Sequence, residues 1–300
     1  MRRKLLFLGC NLKQVPYLKI LKEQDWFIVG IDLNPKAPGK SLCDNFCSTG
    51  YDNLSGLIEI GEKEQFSKKD KIFTAASQFA HKGAAHFANY FKIDYPAEKS
   101  IDICLNKYSF YKLFQKNNIP IPVTWYIKNE EQLRSLISSF PNHTNYYLKS
   151  DHSKNPNYIY SFSSDCIPYS DINWTHDKYF REYYVLQEEF TGIHLRINVY
   201  DNRYNVFDFH TNILTHNHKR QLEYNGTIKA LRVISKLLGF QNWLVKFDVI
   251  LNGEKYVVLD IGIDPPFRMR VESKKQNINF ERLYLNHYLQ GHIEYPNTLD

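Results

Sequence analysis

The sequence predicts an α/β domain with a doubly wound parallel sheet, followed by an α+β domain. Three observations carry this. Short apolar runs alternate with helical patterns over the first hundred residues. The character changes near residues 93–100, IDYPAEKS, after which extended segments outnumber helices. Towards the other end, segment 243–270 reads as two strands joined by a tight turn, with an acid on each strand. A chain of 300 residues fits about two domains.

The first domain is read over residues 1–98. Lys4–Gly9, KLLFLG, is a continuous apolar run, as expected of a strand buried on both faces. Val15–Gln24 carries Leu18, Ile20 and Leu21 on a helix, and Trp26–Asp32 is a second buried strand. The loop NPKAPGK that follows has the Pro and Gly of irregular backbone. Asp52–Gln65 is helical, Lys71–Ala75 is another strand, and Ser77–Phe91 another helix. A β-α-β-α order of this kind builds a parallel sheet. Such a sheet invites a dinucleotide, but only Gly9 survives of the G-x-G-x-x-G fingerprint, because residues 10–16 read CNLKQVP. Without the second glycine a pyrophosphate cannot approach the backbone. A nicotinamide cofactor is therefore the least favoured reading.

The second domain is read over residues 99–300, with a smaller subdomain at about 119–186. Lys99–Asn118 reads as one helical stretch, and Ile119-Pro120-Ile121-Pro122 then forces extended backbone. A strand at Val123–Ile127 precedes a helix over Asn129–Ser139 that Asn129 caps. Strands follow at Tyr146–Lys149, Tyr158–Phe162, Tyr183–Gln187, Leu195–Tyr200 and Tyr204–Thr211, then a helix over Gly226–Leu238.

In the hairpin, Asn252-Gly253 marks the turn, since both residues tolerate positive φ. Asp248 and Asp260 lie four and eight residues from it, and even spacing suits a shared face. Two neighbouring buried carboxylates repel, so such a pair usually holds a cation. The alternative is two exposed strand-end acids.

Composition narrows the function. The net charge of +6 suits an anionic ligand such as a nucleotide, or loose attraction to polyanions. It is too small and dispersed to argue for nucleic-acid binding, so no nucleic-acid partner is expected. Five scattered cysteines do not form a secreted disulfide framework. The start, MRRKLLFLGC, is too short an apolar run for a signal peptide or a membrane span, so a cytoplasmic protein without a membrane partner is expected. His210, His216 and His218 invite a metal reading, but His216-x-His218 has no acidic or cysteine partner nearby and reads as a polar loop rather than a zinc site.

Five ordered stretches together resemble the ATP-grasp superfamily of ATP-dependent carboxylate–amine ligases. NKYSFYKLFQKNNIPIPVTW is similar to the family's opening signature, YYLKS to its second lysine strand, and VLQEEFTG to the segment that clamps adenine. GIHLRINVY resembles the glutamate-ligase-like branch, and the acidic hairpin the metal-binding strands. The first domain is similar to the one that precedes this fold in carbamoyl-phosphate-synthase-like members. The resemblance implies that Lys107, Lys149, Gln187, Glu188, Phe190 and His194 contact ATP. It also implies that Asp248 and Asp260 hold magnesium, or manganese in its place. Arg196 and Arg268 would hold phosphate or carboxylate, since guanidinium can bind either in two-pronged fashion. The partners implied are a small-molecule carboxylate and an amine, and a homodimer is compatible with the sequence.

Three departures bear on activity. The loop after Lys149, SDHSKNPNY, has no glycine, leaving Ser153 and Lys154 to reach phosphate with side chains. Asp260 stands where the family has glutamate. Gly262 stands where it has a metal-binding asparagine, with Asp264 as the candidate substitute. The expectation is an active ligase, with a weak or inactive nucleotide-binding protein acting through a partner as the alternative.

Overall fold

The computed structural model describes residues 2–151, 159–172, 174, 183–200, 203–208, 221–223, 225–240, 243–275 and 277–290. The first sheet contains β1 (Lys4–Leu8), β2 (Phe27–Ile31), β3 (Asn45–Cys47) and β4 (Lys71–Thr74), all parallel, in the order β3-β2-β1-β4. Side chains alternate across a strand, so Leu5 and Phe7 face one layer while Leu6 and Leu8 face the other. Helix α1 (Val15–Glu23) covers the first face with Leu18 and Leu21. Helices α2 (Leu54–Lys63) and α3 (Ala80–Phe91) cover the second with Leu57 and Phe87. Burial on both faces is the physical reason for the unbroken apolar run KLLFL.

Gly9 ends β1 with φ +88°, and a Cβ there would lie 2.5 Å from the Cβ of Ala76 after β4. Its role is close approach of two strand ends. Strand β3 was not anticipated, since three residues at a sheet edge leave little periodicity to read.

The expected single helix over 99–118 is two: α4 (Glu98–Leu105) and α5 (Lys107–Lys116). Asn106 between them is extended (φ −115°, ψ 111°), and its side chain accepts from the Ser109 N–H at 2.7 Å. An asparagine cap satisfies a donor that the first helical turn leaves open. The break puts Lys107 at the start of α5, where its N–H donates to the Asp151 carbonyl at 2.7 Å.

The second sheet is antiparallel, β5 (Thr124–Ile127), β6 (Asn145–Ser150), β7 (Ile159–Ser163) and β8 (Tyr184–Glu188), in the order β5-β8-β6-β7. Helix α6 (Glu130–Ile137), capped by Asn129 as expected, packs Leu133 and Ile137 on it. The third sheet contains β9 (Ile193–Tyr200), β10 (Arg203–Asp208), β11 (Val245–Asn252) and β12 (Lys255–Gly262), ordered β10-β9-β11-β12 and antiparallel. Its apolar face, with Leu195, Ile197, Phe247 and Val249, packs on α5 and on α7 (Thr227–Leu237). The opposite face carries the polar residues.

Two further helices, α8 (Phe267–Lys275) and α9 (Phe280–Gln290), were not expected. Helix α9 returns to the first sheet: Tyr284 and Leu285 join Tyr17 and Phe73 in one core, and the Tyr288 hydroxyl donates to the Ile72 carbonyl at 2.7 Å. No described helix is long and apolar enough to cross a membrane.

Candidate functional site

A cavity of about 390 Å³ opens between the second and third sheets. Lys149 lines it from β6 and Lys107 from the start of α5. His194, Arg196, Asp248 and Asp260 line it from the third sheet, with Lys246 and Asp264 beside them. Seven of the expected site residues therefore meet in one place, drawn from segments up to 157 positions apart in the chain, Lys107 to Asp264.

The acids share a face through a bulge. Lys255 pairs with Asn252, so the two-residue loop is Gly253-Glu254, one residue later than expected, with Gly253 at φ +58°. Glycine at the first loop position is what a type II′ turn needs. An unbroken ladder from that turn would place Leu259 opposite Asp248 and turn Asp260 to the core. Instead the register shifts between Asp248 and Val249, and Asp260 becomes the partner of Asp248. Leu259 is the extra residue, and a bulge leaves such a residue out of the ladder. Its carbonyl accepts from the Tyr111 hydroxyl at 2.6 Å.

Arg196 continues the row on β9, directly opposite Asp248. Its Nε and Nη2 donate to the two Asp248 oxygens at 2.7 and 2.9 Å. Burial alone would weaken the guanidinium's hold on its proton. Bonding to Asp248, aided by the charges of Asp264 and Asp260, outweighs this and raises its pKa. Across the cavity the Lys149 Nζ donates to Gln187 Oε1 at 2.8 Å. Burial first, and then the charge of Lys107, push the Lys149 pKa down to about 8, against the pull of Asp260 and Asp248. The two lysines are thus close enough to repel, which an anion between them would relieve.

Gln187 is buried, with its side chain turned to Lys149, to the Tyr111 hydroxyl at 3.2 Å and to Thr124 Oγ1 at 3.1 Å. It orients Lys149. Glu188 and Phe190 are half-buried at the end of β8 and are not among the residues lining this cavity. Arg268 falls in the first turn of α8, and its side chain lies outside the described residues, as do Ser153, Lys154, His210, His216 and His218. Asp264 is ion-paired with Lys246 at 2.6 Å.

Sequence reasoning missed three residues. Lys246 carries no signal of its own in the sequence, and only its partners in the structure, Gly262 and Asp264, reveal it. Tyr111 is fully buried and ties the second sheet, through Gln187, to the third, through Leu259. Asn198 is fully buried beside Lys246, with neither its Oδ1 nor its Nδ2 hydrogen-bonded. A polar residue inside the run RINVY was the available signal for it.

The donor set suits a hard cation. Asp248 and Asp260 offer carboxylate oxygens side by side, and among the described residues no group of three or more His, Cys, Asp or Glu is arranged to hold a metal. An ion here would take its remaining ligands from phosphate and water, as magnesium does.

No family model and no curated protein matches the chain. Solved structures do match. N5-carboxyaminoimidazole synthetase from Staphylococcus aureus, complexed with ADP, superposes with a TM-score of 0.71 at 11% identity, over 98% of this chain and 79% of that one. L-amino acid ligase from Bacillus licheniformis gives 0.70 at 13%, over 97% and 75%. Phosphoribosylglycinamide synthetase from Anaerococcus prevotii gives 0.61 at 18%, over 88% and 68%. These neighbours are ATP-grasp enzymes, and likeness at such identities speaks for the fold. The chain has the ATP-grasp fold, preceded by a parallel-sheet domain, with a lysine- and acid-lined cleft between its two antiparallel sheets.

Proposed function

We propose that the protein is an ATP- and magnesium-dependent ligase that activates a small-molecule carboxylate as an acylphosphate for attack by an amine. One observation carries this reading: two lysines and a paired-acid row face each other across a single cleft. Among the described residues that line the cleft, the four cations Lys107, Lys149, Arg196 and Lys246 outnumber the three carboxylates Asp248, Asp260 and Asp264, which favours an anion. The fold and the ADP held by one neighbour support a nucleotide as that anion.

In this reading Lys107 and Lys149 bind the polyphosphate, and Gln187 keeps the Lys149 ammonium aimed at it. Glu188, Phe190 and His194 serve the base and ribose. Magnesium on Asp248 and Asp260 would offset charge on the phosphate oxygens. Arg196, which grips Asp248 in this structure, would hold the substrate carboxylate, and Arg268 is the second candidate. A carboxylate oxygen attacks the γ-phosphorus and ADP leaves. The amine nitrogen then attacks the acyl carbon, phosphate leaves with the attacking oxygen, and the amine proton passes to solvent.

The test is phosphate release from ATP and magnesium with pooled carboxylates and amines. Release that needs both substrates supports a ligase. Asp248 is closed onto Arg196, which favours a second reading, a nucleotide-binding protein without turnover. Tight ATP binding, indifferent to magnesium and without product in any pool, would mark that one.

A further inference from the structure

Lys246 and Gly262 are partners across β11 and β12. A Cβ at position 262 would lie 2.3 Å from the Lys246 Cε and 3.0 Å from its Cγ, so the lysine chain would have to move aside. The absence of a side chain at 262 is therefore what lets the lysine lie across β12. Its ammonium ends 2.6 Å from Asp264 Oδ2, with the lysine side chain 15% exposed and the aspartate 29%. Both residues line the cleft next to Asp248 and Asp260. The bare glycine and the lysine are thus one feature: the space over position 262 is filled by a side chain that carries a positive charge to Asp264.

We propose that Lys246 is a permanent cation of the nucleotide site, holding Asp264 in place of a divalent ion, so that nucleotide binds with a single metal at Asp248–Asp260. The proposal rests on the nucleotide reading above. Charge and packing both lead to it. An ammonium at hydrogen-bonding distance neutralises a carboxylate as a metal would, without leaving when nucleotide leaves. Asp264 is then a holder of Lys246, not a stand-in for the asparagine ligand. Lys246 acts as a positioning residue: its charge lies beside the acids before any ligand arrives, and it is presented to the same polyphosphate that Lys107 and Lys149 face.

The experiment counts metal ions. The full chain is mixed with the β,γ-imido analogue of ATP and with Mn2+. Free Mn2+ is read by electron paramagnetic resonance, and bound nucleotide by equilibrium dialysis of the same sample. The unaltered chain should bind one Mn2+ per bound nucleotide. Lys246→Met removes the ammonium beside Asp264, so that carboxylate should take a second Mn2+. Its nucleotide affinity should fall about tenfold at low Mn2+ and recover as the second ion binds. Gly262→Ala keeps the lysine but displaces it, and should shift both readings the same way by less. It carries the test if Lys246→Met fails to fold by circular dichroism. Two ions per nucleotide in the unaltered chain would overturn the proposal, as would one ion and unchanged affinity in the folded variants. If the unaltered chain bound no nucleotide, the functional reading itself would fall, and this proposal with it.

Discussion

Asp248 faces Asp260 across β11 and β12 because Leu259 is one residue too many for a regular ladder. A one-residue shift moves every later side chain to the other face, so the bulge delivers Asp260 to the cleft. Tyr111 fastens it: its hydroxyl takes the Leu259 carbonyl at 2.6 Å and reaches Gln187 Oε1 at 3.2 Å. The acid pair and the Lys149 strand are therefore held by one buried phenol.

Tyr111→Phe should reveal that coupling. It leaves the Leu259 carbonyl without its hydroxyl, at a cost of roughly 1–3 kcal/mol for an unsatisfied buried group. Urea denaturation should show a lower midpoint with an unchanged slope, and phosphate release should fall although no substrate-contacting atom is altered. An unchanged midpoint would show that the bulge is held by the rest of the sheet.

The two acids should separate stability from activity. Asp248→Asn removes the charge that Arg196 grips with two bonds, so folding should weaken by roughly 1–3 kcal/mol. This departs from simple relief of repulsion, because the pairing with Arg196 already offsets it. Asp260 accepts from the N–H of its neighbour Ile261 at 3.0 Å, so Asp260→Asn should stay within about 0.5 kcal/mol of the unaltered chain. Both should lose metal-dependent phosphate release. Equal melting of the two variants, or near-native turnover in either, would count against the arrangement.

The Lys149 ammonium gives a pH dependence with a defined sign. Its pKa in the folded protein is about 8 against an ordinary 10.5. Between those values the unfolded chain keeps a proton that the folded chain has lost, so this group makes stability rise with pH across that window. The charge offered to phosphate is lost as pH climbs through about 8. Nucleotide affinity, measured by calorimetry, should fall above that pH in the unaltered chain. Bound phosphate would itself move the midpoint upward. Lys149→Arg, which stays charged, should remove the step. An identical fall in the arginine variant would assign the titration elsewhere.

Much of this was legible in the sequence, and for local reasons. The apolar run KLLFL, the Pro pair at 120 and 122 and the Gly253 turn each act over a few residues. Where pairing is set at long range, reading stopped. The bulge at Leu259 has no signature of its own, and the shared face of the acids depends on it rather than on spacing from the turn. Lys246 gains its meaning only from Gly262 and Asp264. Helix α9 had a usable signal, since Asn279 caps it and Phe280, Tyr284 and Leu285 follow at helical spacing. The charged run FRMRVESKK before it offers no apolar stripe, so α8 is set by its surroundings.

The most direct measurement follows an oxygen atom. The protein is incubated with ATP, magnesium, an amine pool and carboxylates labelled with oxygen-18, and the released phosphate is weighed by mass spectrometry. Transfer through an acylphosphate predicts phosphate carrying one carboxylate oxygen, and no such phosphate from Asp260→Asn. Phosphate whose new oxygen comes only from water would contradict carboxylate activation in this cleft, as would labelled phosphate released equally by the variant.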